Sequence, residues 1–410
     1  MLPGGVLAVI QDALVTYTHF FLPRESPVHW RGEAQPEGEA MNPLLELRQK
    51  GQSVWLDYIQ RSLITSGGLL SLIENDGVRG VTSNPSIFEK AIDTDADYDG
   101  ALAELLARKP AITAQELYDV VVLEDVRNAA DILRPWYDES GGTDGFVSVE
   151  PPPQLTTDTA ATIAEARRLW RTIDRPNLMI KVVATTDGVR AVEELIAEGI
   201  NVNITLMFSL AHYEAVAHAY IRGLERCARP GTVASVASFF VSRVDTQVDK
   251  LLEANGSEAA LDLRGKIAIT NAKIVYRRFR EIFYGDAFSK QRDRGARVQR
   301  PLWASTSTKN PQYRDVVYVE ELIGADTVNT LPPATLEAFR DHGRVRGATV
   351  MEGLAESEQE LRQLADLGID LNSIAEQLQK DGIKSFASAY GKVLAALDKR
   401  CELIIPSGRT

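Results

Sequence analysis

The chain has 410 residues, 44% of them hydrophobic, which is typical of a globular protein with a sizeable core. Its formal net charge of -12 argues against a nucleic-acid or membrane partner, because both would need a basic face on the protein. A small anionic substrate remains compatible with this charge, since such a ligand needs only a local basic pocket.

The composition favours a cytoplasmic protein. No run of about 18 apolar residues occurs, so we predict no membrane span. The apolar stretch LAVIQDALVTYTHFFL contains Asp12 and lacks a basic flank, which makes it a poor signal peptide. We expect Cys227 and Cys401 to be unpaired thiols in a reducing compartment. The oligomeric state stays open, with a homodimer as one possible assembly.

Residues 1–40 differ from the rest of the chain. The segment LPRESPVHWRGEAQPEGEA is rich in Pro, Gly and Glu and has no periodicity, a composition typical of disordered segments. We therefore expect residues 1–40 to be a disordered appendage or the product of an upstream start, with Met41 as the true first residue. We expect residues 41–410 to form a single domain.

From residue 44 onward, short apolar runs alternate with segments of helical period, which is the pattern of βα units in a parallel sheet. The predicted strands are 54–59, 77–84, 145–150, 178–183, 201–208, 232–240, 301–306 and 326–331. About eight strands, most of them followed by a helix, fit a (β/α)8 TIM barrel better than an open doubly wound sheet. An open sheet would carry a glycine-rich phosphate turn after its first strand, and no such turn is present.

Helices are predicted between most of these strands and beyond the last one. Segment 186–199 begins at an Asp-Gly capping signal, and segment 209–225 has the same apolar period. Segment 88–144 is expected to be helical, and the tail 345–400 to form two or three helices that pack on the barrel. The charge-dense block 276–300 is expected to be a solvated helix and loop, the alternative being a phosphate funnel or an oligomer contact.

Polar residues collect at the C-terminal ends of the predicted strands, where barrel enzymes place their active sites. Many polar groups at one end of an apolar barrel are costly unless they serve one another or a ligand. The candidate site residues are Asp57, Asn84, Glu150, Lys181, Asn203, Thr205, Ser238, Arg243, Ser305 and Lys309.

Lys181 is the sharpest of these signals, because it interrupts the apolar run of the fourth predicted strand. A strand lysine on its own is more often part of a salt bridge. Burial in a closed barrel would instead lower the pKa of a lysine and leave an amine that can form an imine with a ketone. Asp57 and Glu150 are the candidate acid/base pair, although each alone could equally be a helix cap or half of an ion pair.

The other candidates suit a phosphorylated sugar. Asn84 and Asn203 could hold hydroxyl groups, although Pro85 makes a turn role plausible for Asn84. Arg243 and Lys309 each follow small hydroxyl residues near the last strands, a combination that suits a sugar phosphate. The five histidines show no ligand-like grouping, so we expect no metal and no organic cofactor.

Four segments together resemble the transaldolase family. GVTSNPSIFEKAI (80–92) resembles its Thr/Ser-Asn-Pro-Ser signature, and NLMIKVVATTDGVRAVEELIAEGINVNITLMFS (177–209) resembles its lysine strand and the Gly-Ile-Asn-x-Asn-x-Thr strand that follows. SVASFFVSRVD (235–245) and PLWASTSTKNPQYRD (301–315) resemble sixth- and seventh-strand motifs of the longer bacterial members. The resemblance runs from about residue 42 to the C-terminus, and four motifs in the right order are highly specific.

The resemblance implies an enzyme of the pentose phosphate pathway that moves a dihydroxyacetone unit between sugar phosphates. It implies that Lys181 forms the Schiff base, that Asp57 is the acid/base at the cleaved C–C bond, and that Glu150 works through a water shared with Thr205. The substrate contacts that it implies are Asn84, Asn203 and Ser238 at the upper carbons, Phe240 near that water, and Arg243 and Ser305 at the phosphate.

Two departures and two alternatives accompany this resemblance. KVVAT stands where KIPAT-like versions carry a proline, and Ser307 stands where short-chain members carry a second phosphate-binding arginine, so Lys309 is the substitute candidate. One alternative is an aldolase that releases dihydroxyacetone to water, although such members tend to carry tyrosine at the position of Phe240. The other is a barrel that binds sugar phosphates without catalysis, and the intact Asp57, Glu150 and Lys181 set argues against it.

Overall fold

The computed structural model describes residues 41–94 and 96–404, and the expectation for residues 1–40 lies outside this range. Eight parallel strands pair in chain order and close into a barrel. The strands are β1 (Gln52–Leu56), β2 (Val78–Val81), β3 (Phe146–Val149), β4 (Leu178–Val183), β5 (Val202–Met207), β6 (Ser235–Phe240), β7 (Arg300–Ala304) and β8 (Thr327–Leu331). The predicted (β/α)8 barrel is therefore confirmed, and β4 matches its predicted bounds at both ends.

Helices surround the barrel and fill the long connections. They are α1 (Pro43–Gln49), α2 (Arg61–Thr65), α3 (Gly68–Asp76), α4 (Pro85–Thr94), α5 (Asp99–Arg108), α6 (Ala114–Glu139), α7 (Thr159–Ile173), α8 (Thr186–Ala197), α9 (Leu210–Arg226), α10 (Ser242–Asn255), α11 (Glu258–Leu261), α12 (Ile267–Tyr284), α13 (Ser289–Asp293), α14 (Val317–Glu321), α15 (Pro333–His342), α16 (Leu354–Asp366) and α17 (Leu371–Ile404). Across the described residues, none of these helices has the length and apolar composition that crossing a bilayer requires.

Aromatic side chains fill the N-terminal half of the barrel interior. The Trp55 ring lies against Gly80, where an added Cβ would come within 2.4 Å of the ring. Phe146 packs beside it with a centroid separation of 6.2 Å, and both side chains are almost completely buried. A glycine is therefore required on β2, since a Cβ there would overlap the Trp55 ring in this closely packed part of the barrel.

The helix after β4 begins one residue earlier than its predicted capping signal. The Thr185 side chain accepts a hydrogen bond from the Gly188 backbone N–H at 3.0 Å and so caps α8. Asp187 lies in the first turn instead, where a negative charge interacts favourably with the helix dipole. The Asp-Gly prediction thus identified the right helix but the wrong cap.

The last helix, α17, has 34 residues and ends at Ile404, four residues beyond the predicted helical tail. Its Gln379 side-chain amide donates to the backbone oxygens of Ala184 and Leu206, both at 3.0 Å, which ties the helix to the ends of β4 and β5. Farther along, Tyr390 packs edge-on against Tyr118 of α6 at 5.0 Å between centroids. These contacts place α17 across the C-terminal end of the barrel.

The charge-dense block 276–300 contains the second half of α12, α13 and the approach to β7. Its apolar side chains Phe279 and Phe283 are buried, whereas its arginines bond to carbonyl oxygens and carboxylates of neighbouring elements. No residue of this block lines the cavity described below. Cys227 and Cys401 are both unpaired, as predicted.

Candidate active site

A cavity of about 600 Å³ lies at the C-terminal ends of the strands, and most of the candidate residues line it. They come from six of the eight βα units, so only barrel closure brings them together. The predicted residues that line it are Asp57, Asn84, Lys181, Thr205, Ser238, Phe240, Arg243, Ser305 and Lys309. Glu150 contacts Lys181 from the side, and Asn203 lies deeper in the barrel.

Lys181 points from β4 into this cavity and is only 5% exposed. Its Nζ donates a hydrogen bond to the Ser83 backbone oxygen at 3.1 Å and lies 3.5 Å from Glu150 Oε2. The Phe386 ring of α17 covers it, with the ring centroid 5.6 Å from Nζ. The amine therefore has one carboxylate, one carbonyl and one aromatic face around it, and little contact with bulk water.

Asp57 follows β1 and faces the same cavity. Burial raises the pKa of Asp57, and the positive charge of Lys181 is the largest of the influences that oppose this rise. Thr82 also opposes it, since its hydroxyl donates to Asp57 Oδ1 at 2.8 Å. A carboxyl group with a raised pKa beside an amine is suited to exchanging protons with a bound substrate.

Glu150 follows β3 and has a side chain that is 6% exposed. Burial raises the pKa of Glu150, Lys181 lowers it, and the negative charge of Asp57 raises it further. Glu150 Oε2 and the Thr205 hydroxyl are both buried, and apart from the 3.5 Å contact of Glu150 with Lys181 neither oxygen has a hydrogen-bond partner among the described residues. Buried polar atoms without partners are uncommon, so each of these oxygens is suited to bind a water or a substrate oxygen.

The two asparagines have different positions. Asn203 is fully buried on β5, where its amide donates to the Ser148 hydroxyl at 3.0 Å and its oxygen accepts from the Ser238 hydroxyl at 2.6 Å. It does not line the cavity, but it orients Ser238, which does. Asn84 lines the cavity and also accepts a hydrogen bond from the Ile87 N–H at 3.2 Å, so it caps the start of α4 as well.

Basic residues occupy one side of the cavity mouth. Arg243, in the first turn of α10, lies over the Phe240 ring at 5.2 Å from its centroid, and burial lowers the pKa of Arg243. Partial burial lowers the pKa of Lys309, the charges of Arg243 and Lys90 lower it further, and the negative charge of Asp57 opposes them. The Ser305 hydroxyl lies 3.0 Å from the Ser242 hydroxyl beside them. Cations and hydroxyls grouped in this way suit a phosphate group.

Three contributors to the site were not among the predicted residues. Thr82 bonds to Asp57, Lys90 of α4 lines the mouth beside Lys309, and Phe386 covers Lys181. Thr82 and Lys90 lie inside the segment 80–92 that carries the resemblance, so the inward alternation of β2 could have identified Thr82. Nothing in the sequence around Phe386 distinguishes it from other apolar residues of an amphipathic helix.

The described part of the chain contains no cluster of three or more His, Cys, Asp or Glu side chains that could hold a metal ion. The chemistry available in the cavity is that of one amine, two carboxyl groups, several hydroxyls and the cations at the mouth.

Comparisons with known proteins agree with this geometry. The family described as Transaldolase/Fructose-6-phosphate aldolase matches residues 54–397. "Transaldolase 1" of Streptomyces coelicolor is 48% identical over 360 residues, which cover 87% of this chain and 94% of that protein. "Transaldolase 2" of a Nostoc species is 44% identical over 382 residues, covering 90% of this chain and 100% of that protein. "Transaldolase" of Mycolicibacterium smegmatis is 46% identical over 362 residues, covering 87% and 97%.

Proposed function

Since the chain belongs to the transaldolase/fructose-6-phosphate aldolase family, we propose that it transfers a dihydroxyacetone unit between sugar phosphates through a Schiff base on Lys181. The observation that carries this proposal is the buried Lys181 amine, which faces the same cavity as Asp57 and lies 3.5 Å from Glu150. The net reaction converts sedoheptulose 7-phosphate and glyceraldehyde 3-phosphate into erythrose 4-phosphate and fructose 6-phosphate.

The first half of the reaction forms the imine. The Lys181 amine attacks the C2 ketone of the donor sugar and gives a carbinolamine. Glu150, through a water that it shares with the Thr205 hydroxyl, protonates the departing C2 hydroxyl group, which leaves as water. This role is supported by the raised pKa of Glu150 and by the buried, unpartnered oxygens of both side chains.

The second half breaks and remakes a carbon–carbon bond. Asp57 takes the proton of the C4 hydroxyl, the C3–C4 bond breaks, and its electrons pass to the protonated imine, so that an aldose phosphate leaves and an enamine stays on Lys181. The enamine carbon then attacks the aldehyde of a second aldose phosphate, and Asp57 returns the proton to the new hydroxyl. Water releases the product ketose from Lys181, and the cycle requires no cofactor.

The remaining side chains bind the substrate in this proposal. Ser238, supported by Asn203, and Asn84 hold the hydroxyl groups of the ketose, and Phe240 shapes the wall near the shared water. Arg243, Ser305 and Lys309 bind the phosphate at the mouth. We place this reaction in the cytoplasm, which agrees with the two unpaired cysteines.

Borohydride reduction in the presence of fructose 6-phosphate, followed by peptide mass analysis, tests the proposal. We expect a stable three-carbon adduct on the peptide that contains Lys181, and none on the peptide that contains Lys273. Lys273 is the matched comparison, because it is 7% exposed but donates to the Glu352 carbonyl oxygen outside the cavity.

Lys181→Met should abolish both the adduct and turnover. Turnover that survives in this variant, or an adduct on any other lysine, would refute the assignment. Release of free dihydroxyacetone as fast as the enzyme consumes fructose 6-phosphate, even with an acceptor aldehyde present, would identify an aldolase instead.

A further inference from the structure

The proposed function leaves Phe386 without a role, although this residue contacts the reactive amine. Phe386 is 5% exposed, lines the cavity, and holds its ring centroid 5.6 Å from Lys181 Nζ. It comes from α17, which belongs to none of the eight strand–helix units that supply the other cavity residues. Its position over the amine therefore depends on how α17 is attached to the barrel.

Two contacts attach α17 closely at this point. Gln379, two turns before Phe386, donates to the backbone oxygens of Ala184 and Leu206, both at 3.0 Å. Gly382, one turn before Phe386, allows a close approach, since a Cβ there would lie 2.8 Å from the Leu206 side chain. Ala184 directly follows β4, the strand that carries Lys181, so the aromatic ring and the amine are fixed relative to one another.

Leu206 shows that the barrel is adapted to this attachment. It has a φ of 60°, a backbone conformation that is unfavourable for a branched side chain, and it lies where the pairing of β5 with β6 shifts register. In this conformation its backbone oxygen accepts from Gln379 and its side chain contacts Gly382. Strained backbone of this kind persists only where the surroundings hold it in place.

We propose that Phe386 is a specificity-determining residue that covers the Lys181 adduct and keeps water from the enamine carbon, so that the dihydroxyacetone unit is transferred and not released. This inference rests on the proposed Schiff-base function. The aromatic face also favours the positive charge of the protonated imine, because cations bind to the negative face of a ring.

The reaction that Phe386 suppresses in this proposal is hydrolysis of the enamine on Lys181. A water-derived acid protonates the enamine carbon and regenerates the iminium ion, and water then adds to its C2 carbon. The added oxygen passes one proton to the nitrogen and loses its other proton to solvent as the C2=O bond forms and the C2–N bond breaks. Dihydroxyacetone is then free, and Lys181 is again an amine. Once the enamine carbon is protonated, it can no longer attack the acceptor aldehyde. Access of water to that carbon therefore decides between transfer and release.

The test is the ratio of free dihydroxyacetone release to transfer, measured with fructose 6-phosphate and a fixed concentration of acceptor. Phe386→Ala should raise this ratio at least about tenfold, because a cavity then connects the adduct to solvent. Phe386→Leu, which fills more of the space, should raise it by a smaller factor and carries the test if the alanine variant does not fold. Ser385→Ala, an exposed neighbour on α17, should leave the ratio unchanged.

An unchanged ratio in a folded Phe386→Leu or Phe386→Ala variant that still forms the borohydride adduct would overturn this inference. A general loss of activity, with release and transfer falling in parallel, would also overturn it, because that result describes a structural role only. Absence of the adduct in the unmodified protein would instead refute the Schiff-base function, so the two failures are distinguishable.

Discussion

The pKa of Asp57 is set by two opposing effects: loss of solvation favours the neutral carboxyl, and four neighbouring groups favour the anion. Burial has the largest effect and raises the pKa of this carboxyl, while Lys181, Thr82, Arg243 and Lys309 lower it. The balance determines at which pH the group can accept the C4 hydroxyl proton of the substrate. Among the opposing groups, Thr82 acts through a single hydrogen bond and can be changed without altering any charge.

Thr82→Val should move the acid limb of the pH profile of kcat/KM to higher pH. Losing the hydroxyl that donates to Asp57 removes a stabilising contact from the anion, so the pKa of Asp57 rises and the base becomes protonated earlier as pH falls. A hydrogen bond to a charged group is worth about 1.5–3 kcal/mol, which corresponds to a shift of about one to two pH units. Thr82→Ser keeps the hydroxyl and should keep the profile; a Val variant with an unmoved acid limb would contradict this account.

The chemistry-bearing residues could be predicted from the sequence because each lies within a predicted strand or just past its end. An amine in an apolar strand and carboxylates just past two others can meet only if the strands form a barrel, and that inference needs no coordinates. The position of Asn203 below the cavity could not be predicted, because whether an inward residue faces a ligand or its neighbours depends on its depth in the barrel. Phe386 could not be predicted either, since α17 reaches Lys181 only through tertiary packing.

The positions of the strands could be predicted more reliably than the ends of the helices. Buried parallel strands appear in a sequence as short, nearly continuous apolar runs between helical segments. Their number and their order along the chain can therefore be read from the sequence pattern. The cap of α8 depends on which of two residues, Thr185 or Asp187, has extended backbone, and the structure gives that role to Thr185. The path of α17 across the barrel mouth depends on Gln379 and Gly382, whose contacts lie on distant strands.

Two glycines of α17 should respond oppositely to alanine. Gly391 is exposed with no atom within 4 Å of an added Cβ, so Gly391→Ala should stabilise the protein by up to about 1 kcal/mol through helix propensity. Gly382→Ala places a Cβ 2.8 Å from Leu206 and should destabilise it, with overpacking typically costing about 1–3 kcal/mol. The urea unfolding midpoints of the two variants measure these changes in stability. Equal shifts in midpoint would show that α17 does not pack tightly against Leu206 at Gly382.

Several carboxyl groups are buried away from the active site. Burial is the main cause that raises the pKa of Asp119 and of Asp125 to about 6, and of Asp245 to about 7. Asp245 accepts hydrogen bonds from the Ala268 N–H and the Tyr318 hydroxyl at 2.7 and 2.8 Å, which reduce this rise without cancelling it. Each of these carboxyl groups therefore binds a proton more tightly in the folded chain than in the unfolded chain.

Stability should therefore decrease as pH rises from about 4.5 to 7. The folded pKa values lie above the unfolded value of 3.8, so in this range the native state binds protons that the unfolded state lacks. Each such group contributes a slope of about -1.4 kcal/mol per pH unit between its two pKa values. Thermal unfolding midpoints at constant ionic strength should thus be higher at pH 5 than at pH 7.5.

Asp245→Asn should flatten this dependence, because it removes the group whose pKa is raised to about 7. Asp370→Asn is the control variant and should leave the dependence between pH 5 and 7 unchanged. Hydrogen bonds from Ser373 and Asn372 lower the pKa of Asp370, so its contribution to stability is lost only under strongly acidic conditions. Curves for the native protein and the Asp245→Asn variant that run parallel from pH 5 to 7 would contradict the proposed cause.

Trp55 and Phe146 fill the lower barrel, and this packing has a kinetic consequence for the proposed reaction. With the channel through the strands plugged, both aldose phosphates must travel by the same entrance. The first product has to diffuse out before the acceptor can come in, so the two chemical half-reactions alternate in a ping-pong sequence. An excess of either aldose phosphate should then inhibit the reaction, because both aldoses compete for the same binding site.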